Sequence, residues 1–183
     1  MSARLQSWNY GWDGSYFITI CTKSRERYFG DIIDGTMKLS HIGILADVFW
    51  NEIVNHAKNV TLGGYVVMPN HLHGILMLNN DDNHGNRDKA CLVSTDREIK
   101  RDTSIGQGRF QNQGKNTISS IIGAYKSAVT KHAHRSGYEF TWQTRFYDHI
   151  IRNEKSFYQI TEYVKSNPEN WENDKFYTEG GGS

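Results

Sequence analysis

The chain has 183 residues, with 21 basic and 20 acidic side chains and a formal net charge of +1. That length predicts one domain around a single core, and the near-balance of charge excludes a polyanion-coating role driven by a global field, so any nucleic-acid site must be local. Aromatic residues make up 13% of the chain, enough to pack a core and also to offer faces on which unstacked bases can lie.

The opening residues Met1 to Gln6 lack an apolar signal region, and the two cysteines, Cys21 and Cys91, have no metal-ligand or redox spacing. Both features predict a cytoplasmic protein. No apolar run approaches membrane-spanning length, so no membrane partner is expected. Tyr16–Thr22 is rich in β-branched and aromatic residues and reads as a strand, and Asp31–Leu39 reads as a small hairpin turning at Asp34-Gly35. Ser40 is placed to cap a helix in which Ile42, Leu45, Phe49, Ile53 and Ala57 recur at helical spacing. Val60–Met68 and His71–Leu78 are two apolar, β-prone runs joined by Pro69-Asn70, an adjacent strand pair around a tight connection.

Residues 79–116 change character, becoming polar, Gly-rich and aperiodic, and read as an excursion that is mobile or only partly ordered. After Thr117, the positions Ile118, Ile121, Ile122, Tyr125, Ala128 and Val129 mark a second helix, closed by Ser136-Gly137. Phe140–Arg152 reads as a further strand. Asn153 then caps a third helix, with Phe157, Ile160 and Val164 as its inward stripe and Asn167-Pro168 at its end. The order β, hairpin, α, β, β, loop, α, β, α predicts an α+β, ferredoxin-like βαββαβ sandwich: a mainly antiparallel sheet with helices on one face, plus an extra C-terminal helix. Residues 1–177 form the single predicted domain, and 178–183 read as a linker or fusion scar.

Chemistry concentrates in two places. In Pro69-Asn70-His71-Leu72-His73, the two-residue period of a strand sends both imidazoles to one face and Leu72 to the other, and neighbouring neutral imidazoles can grip a metal ion. For an isolated His-x-His the commoner explanation is a pair of half-buried polar residues. On the last helix Tyr163 and Asn167 are four residues apart, within about 40° of each other on the helical wheel, at the rim of the apolar stripe. By itself that pair also suits a snorkelling tyrosine and an asparagine that merely ends a helix. His132 and His134 diverge by about 200° on their helix and make poor co-ligands.

Taken together, Gly64–Ile75 around the His pair, Trp142–His149, Ile151–Asn153 and Tyr163–Pro168 resemble the REP-associated tyrosine transposases. These are single-tyrosine members of the HUH endonuclease superfamily, named for His, a bulky apolar residue, His. The likeness spans roughly residues 14–177 and is poorest in the polar excursion. It implies the same sandwich fold, with His71 and His73 as metal ligands, Asn167 completing the metal site, and Tyr163 as the nucleophile. It further implies a Mg²⁺- or Mn²⁺-dependent endonuclease and strand transferase acting on single-stranded or hairpin DNA, which leaves a 5′-phosphotyrosine and a free 3′-hydroxyl. Such a protein would be nucleoid-associated while acting. As alternatives, the same residues suit a non-catalytic single-stranded DNA- or RNA-binding module, or a rolling-circle initiator-type nickase. Arg25, Arg27, Lys126, Arg145 and His149 are candidates for DNA contacts, although solvated helix and loop faces read the same way. Monomer and homodimer both remain open.

Overall fold

A computed structural model describes residues 14–79 and 117–178. The chain forms a four-stranded antiparallel sheet built from β1 (Gly14–Cys21), β4 (Val60–Met68), β5 (His71–Leu78) and β6 (Tyr147–Ile151), in the order β4-β5-β1-β6. A separate hairpin, β2 (Gly30–Ile33) and β3 (Thr36–Leu39), branches off between β1 and the first helix. Helices are α1 (His41–Asn51), the single turn α2 (Ile53–His56), α3 (Ile118–Arg135) and α4 (Glu154–Ser166). Without the hairpin, the sequence of elements and the strand order are those of a ferredoxin-like βαββαβ sandwich, as expected. The predicted excursion, from residue 80 to 116, and the tail beyond Thr178 lie outside the described residues.

Two layers pack on the sheet. α1 and α3 lie against each other on one face, over Tyr16, Ile18, Ile20, Leu72 and Leu76, all of which are fully buried with Trp50, Ile122 and Val129. α4 packs on β4, β5 and β6 from the opposite side, where alternation sends His71, His73 and Thr19. Hydrophobic burial thus drives the α1/α3 layer and leaves the second face for α4 and the polar groups beneath it.

Local signals explain most of the boundaries. Ser40 caps α1 by accepting from the Gly43 N–H at 3.1 Å, Thr117 and Ser120 form a reciprocal capping box on α3, and Asn153 accepts from the Ser156 N–H at 2.8 Å to start α4. Asp34 and Gly35 both adopt positive φ, 50° and 68°, and close the β2–β3 hairpin with two residues, the geometry that matches strand twist.

Two expectations need correction. The first helix stops at Asn51 and resumes for one turn after Glu52, and its buried stripe is Ile42, Ala46, Trp50 and Ile53, with Leu45 and Phe49 only half-buried. On that stripe the buried Trp50 indole packs directly against the backbone of Gly74. The strand predicted over Phe140–Arg152 is confined to Tyr147–Ile151, preceded by one isolated bridge between Thr22 and Trp142. Its first half is held at that bridge by backbone hydrogen bonds from Lys23 to Thr141 and from Gln143 to Cys21, and by α3: the Lys126 ammonium donates to the Gln143 carbonyl at 2.5 Å, and the Trp142 indole N–H donates to the Lys126 carbonyl at 3.1 Å.

Gly74 gives the most direct stability prediction. A Cβ there would lie 2.3 Å from Trp50 Cζ2, inside a ring that is wholly buried and cannot swing away. Gly74→Ala should therefore cost about 1–3 kcal/mol, the usual range for overpacking, and lower the melting temperature by roughly 2–12 °C in a thermal scan. An unchanged melting temperature would mean that the indole does not pack on this backbone.

Candidate active site

His71 and His73 begin β5 and point to the α4 face, their ring centroids 4.5 Å apart. Across the strand pairs His71 faces Cys21 and Met68, and His73 faces Thr19 and Val66. Both imidazoles are fully buried, and burial, together with the Lys175 and Arg25 charges, lowers the His71 pKa to about 3. Burial, with His71 as a neighbour, likewise holds His73 well below the usual histidine range. Both rings are therefore neutral at physiological pH, with lone pairs available to a cation.

The orientation of His71 is set by the residue before it. Asn70 is wholly buried; its amide N–H groups donate to the carbonyls of Phe176 at 2.8 Å and Arg25 at 3.2 Å, and its Oδ1 therefore faces His71 Nδ1 at 2.9 Å. A carbonyl oxygen can only accept, so Nδ1 carries the proton and Nε2 keeps its lone pair. That Nε2 is buried without a hydrogen-bond partner. The His73 ring is held at Nδ1 by the Thr19 hydroxyl, 2.8 Å away, and stacks on Phe17 at 5.1 Å. Since a hydroxyl can donate or accept, Thr19 tolerates either tautomer of His73.

α4 brings Tyr163 and Asn167 over these rings, within the same chain. The Tyr163 hydroxyl lies 3.2 Å from His73 Nε2 and donates to Asp174 Oδ2 at 3.1 Å. Asn167 is buried where Tyr163 is 40% exposed, and its amide N–H donates to the same Asp174 oxygen at 3.2 Å. Asn167 Oδ1 is, after His71 Nε2, a second buried polar atom of the site without a hydrogen-bond partner. Burial and the Asp174 carboxylate together push the Tyr163 pKa up to about 12, so the phenol is protonated and a poor nucleophile until something withdraws its proton.

Asp174 escaped the sequence reading. It lies seven residues beyond Asn167, past Pro168 and a short turn at Trp171–Asn173, and reaches the site because that turn folds the chain back under α4. Its second oxygen, Oδ1, accepts from the Phe176 N–H at 2.6 Å, which fixes the carboxylate. His71, His73 and Asp174 offer ligand atoms that all lie within 4.8 Å of one another, a group able to hold a metal ion. Two imidazole nitrogens and a carboxylate, with the bare Asn167 oxygen beside them, form a donor set suited to a borderline or hard divalent cation. Nothing in the local pattern of Asn-Asp-Lys marks residue 174 as a ligand; only the return of the chain does.

The predicted DNA-contact residues are scattered. His149 faces the site from β6, and Arg145 is exposed just before that strand. The Arg25 guanidinium donates to the Lys175 carbonyl at 3.1 Å and lies 5.2 Å from the Phe176 ring. Arg27 donates to the Thr178 carbonyl and packs its charge over Trp171 and Tyr177, both 5.7 Å away. These two arginines bind the segment that carries Asp174 to the β1–β2 connection. The Lys126 ammonium is engaged at the Gln143 carbonyl and lies 5.8 Å from the Trp142 ring.

No protein-family model matches the chain. An uncharacterised protein of Haemophilus influenzae is 36% identical over 180 residues, which covers 97% of this chain and 93% of the relative. The chain belongs to the family of that protein. Among solved structures, a REP-associated tyrosine transposase bound to a REP hairpin superposes with a TM-score of 0.57 at 19% identity, over 93% of this chain and 74% of the transposase. The chain therefore shares its fold with that transposase. A second solved structure, from Deinococcus radiodurans R1, has a TM-score of 0.42 at 13% identity, over 90% of this chain and 96% of that one. No helix among the described residues is long and apolar enough to cross a membrane.

Proposed function

We propose that the protein is a metal-dependent, single-tyrosine DNA endonuclease and strand transferase of the HUH type. The observation that carries the proposal is the Tyr163 hydroxyl, 3.2 Å from His73 Nε2 and 3.1 Å from Asp174, at the mouth of a paired-imidazole site. The fold shared with a tyrosine transposase supports it. His71 Nε2, His73 Nε2 and an oxygen of Asp174 or Asn167 would hold Mg²⁺ or Mn²⁺. When bound, the cation supplies Lewis-acid polarisation of a non-bridging phosphate oxygen and offsets the charge that shields a phosphodiester.

The residues of the chain supply the rest. The Tyr163 oxygen attacks phosphorus, its proton passing to Asp174, which already accepts its hydrogen bond. The new tyrosyl O–P bond replaces the bond from phosphorus to the 3′ oxygen, and the departing oxygen takes up the proton held by Asp174, leaving a 5′-phosphotyrosine and a 3′-hydroxyl. Attack by a 3′-hydroxyl on that phosphotyrosine reverses the step and rejoins strands without ATP. Nucleophile and imidazoles belong to one chain, so a monomer suffices.

The direct experiment is incubation with a 3′-labelled hairpin oligonucleotide carrying single-stranded flanks, with Mg²⁺ or Mn²⁺. Label that migrates with the protein in SDS is the expected result, and EDTA should remove it. DNA binding with no adduct under either metal would leave only a binding module. Asn70 provides a second check. Freeing the His71 ring by Asn70→Ala should weaken Mn²⁺ binding in calorimetric titration by about 10–100-fold, as for other groups that orient a ligand. An unchanged affinity would show that the ring needs no such support.

A further inference from the structure

On the sheet face away from the histidines, a groove of about 350 Å³ runs between α1–α2 and α3. Phe49, Ile53 and Ala57 form one bank, and Ile121, Ala124 and Ala128 the other. The groove lies at the end of the sheet where β1 begins. The Val60 N–H donates to the Ala57 carbonyl at 3.1 Å, Val60 pairs with Leu78, and Leu78 pairs with Gly14, the first residue of β1. Residues 1–13, which lead into that strand, lie outside the described residues. Their sequence nevertheless carries a pattern. Along β1 the even-numbered Tyr16, Ile18 and Ile20 are fully buried beneath α1 and α3, and the two-residue period, carried back along the chain, puts Trp8, Tyr10 and Trp12 in the same set. The intervening Ser7, Asn9, Gly11 and Asp13 are small or polar. Three aromatic side chains in five residues, all of one parity, describe a segment with one apolar face that requires a surface to cover it.

We propose that the segment Trp8–Trp12 of the same chain docks in this groove, its rings covering the apolar banks between α1–α2 and α3. The entry point favours it: Gly14 lies two strand spacings, about 10 Å, from Val60, beside the groove wall. Length suffices as well, since the six residues from Trp8 to Gly14 reach about 20 Å when extended. Chemistry agrees, because large rings bury the most apolar area per residue and the two banks are aliphatic and aromatic. An occupant tethered to the sheet loses only loop-closure entropy, whereas a separate molecule also loses its translational and rotational freedom. The assignment is independent of the proposed DNA chemistry, because the groove and the paired imidazoles lie on opposite faces of the sheet.

The test uses the full chain with a bimane label beside the groove. Gly123 is exposed, and a Cβ added there meets nothing within 4 Å, so Gly123→Cys in a Cys91→Ser background accepts the label while the buried Cys21 does not react. An indole or phenol at contact range quenches bimane. The label is expected to be dim when Trp8, Tyr10 and Trp12 are present and to brighten when all three are replaced by Leu, which fills space without quenching. Equal brightness in the two proteins overturns the assignment. Replacing the same three residues by Ser in unlabelled protein should lower the melting temperature by roughly 4–12 °C, the shift expected on losing partly buried rings from a chain of this size. An unchanged melting temperature likewise overturns it. A mixing experiment separates one chain from two: the labelled Leu variant, given an excess of unlabelled protein with its aromatics intact, should stay bright. Dimming in that mixture would mean that the rings enter the groove of a second copy, and the assignment to the same chain would fall.

Discussion

Tyr163→Phe is expected to abolish the covalent protein–DNA adduct, a loss of at least about 10³-fold in its rate of formation, with hairpin binding unchanged within a factor of 2–3. The variant removes one oxygen from a side chain that is 40% exposed and whose ring packs edge-on to Phe17 at 6.1 Å, so the helix and its apolar contacts persist. What disappears is the only atom that could join phosphorus from this position. The lost hydrogen bond to Asp174 is solvated, whereas the one to His73 leaves a buried ring nitrogen without that partner, so the variant costs about 1–3 kcal/mol of stability. Separate measurement of binding by gel shift and of adduct by SDS electrophoresis distinguishes loss of the nucleophile from loss of fold. An adduct of undiminished yield in Tyr163→Phe would transfer the role to another residue.

His71→Gln and His73→Gln should each eliminate metal-dependent cutting and lower Mn²⁺ affinity by more than the roughly 10–100-fold expected of a supporting residue. Glutamine approximates the imidazole volume in a site where both rings are fully buried, which limits the cavity cost of a smaller replacement. The two variants should differ in one respect. His73 also touches Tyr163, so its loss frees the phenol as well as the cation, whereas His71 reaches Asn70, the His73 ring and the aromatic rings of Trp171 and Phe176. Asp174→Ala and Asn167→Ala, measured in the same titration, identify the oxygen that completes the site: the larger loss marks the ligand. Unimpaired cutting in either histidine variant would make the pair structural.

Much of this was legible in the chain because it follows from local rules. Ser40, Thr117 and Asn153 announce helix starts through side-chain oxygens that satisfy the first free N–H groups, and Asp34-Gly35 announces a two-residue hairpin through its tolerance of positive φ. Period-two alternation in His71-Leu72-His73 required no partner to predict that both rings share a face. The misreading of Phe140–Arg152 had the opposite origin. Trp142 and Phe146 look like strand residues by type, but the stretch pairs with β1 only around Trp142 and is also tied to Lys126 of α3 through the Gln143 carbonyl and the Trp142 indole, contacts more than ten residues distant that no local window contains.

The sequence by itself determined the elements, their caps, the shared face of the imidazoles and the pairing of Tyr163 with Asn167 on one helix, since each depends on spacing within a few residues. Only the tertiary structure decided that α4 lies on the sheet face opposite α1 and α3, that its tyrosine meets the histidines of its own chain, and that Asp174 joins them. Those outcomes depend on closure of loops whose ends are far apart in sequence: 90 residues separate Tyr163 from His73. The free energy that closes them is burial of apolar surface across the whole sheet, a quantity that no short stretch of residues encodes.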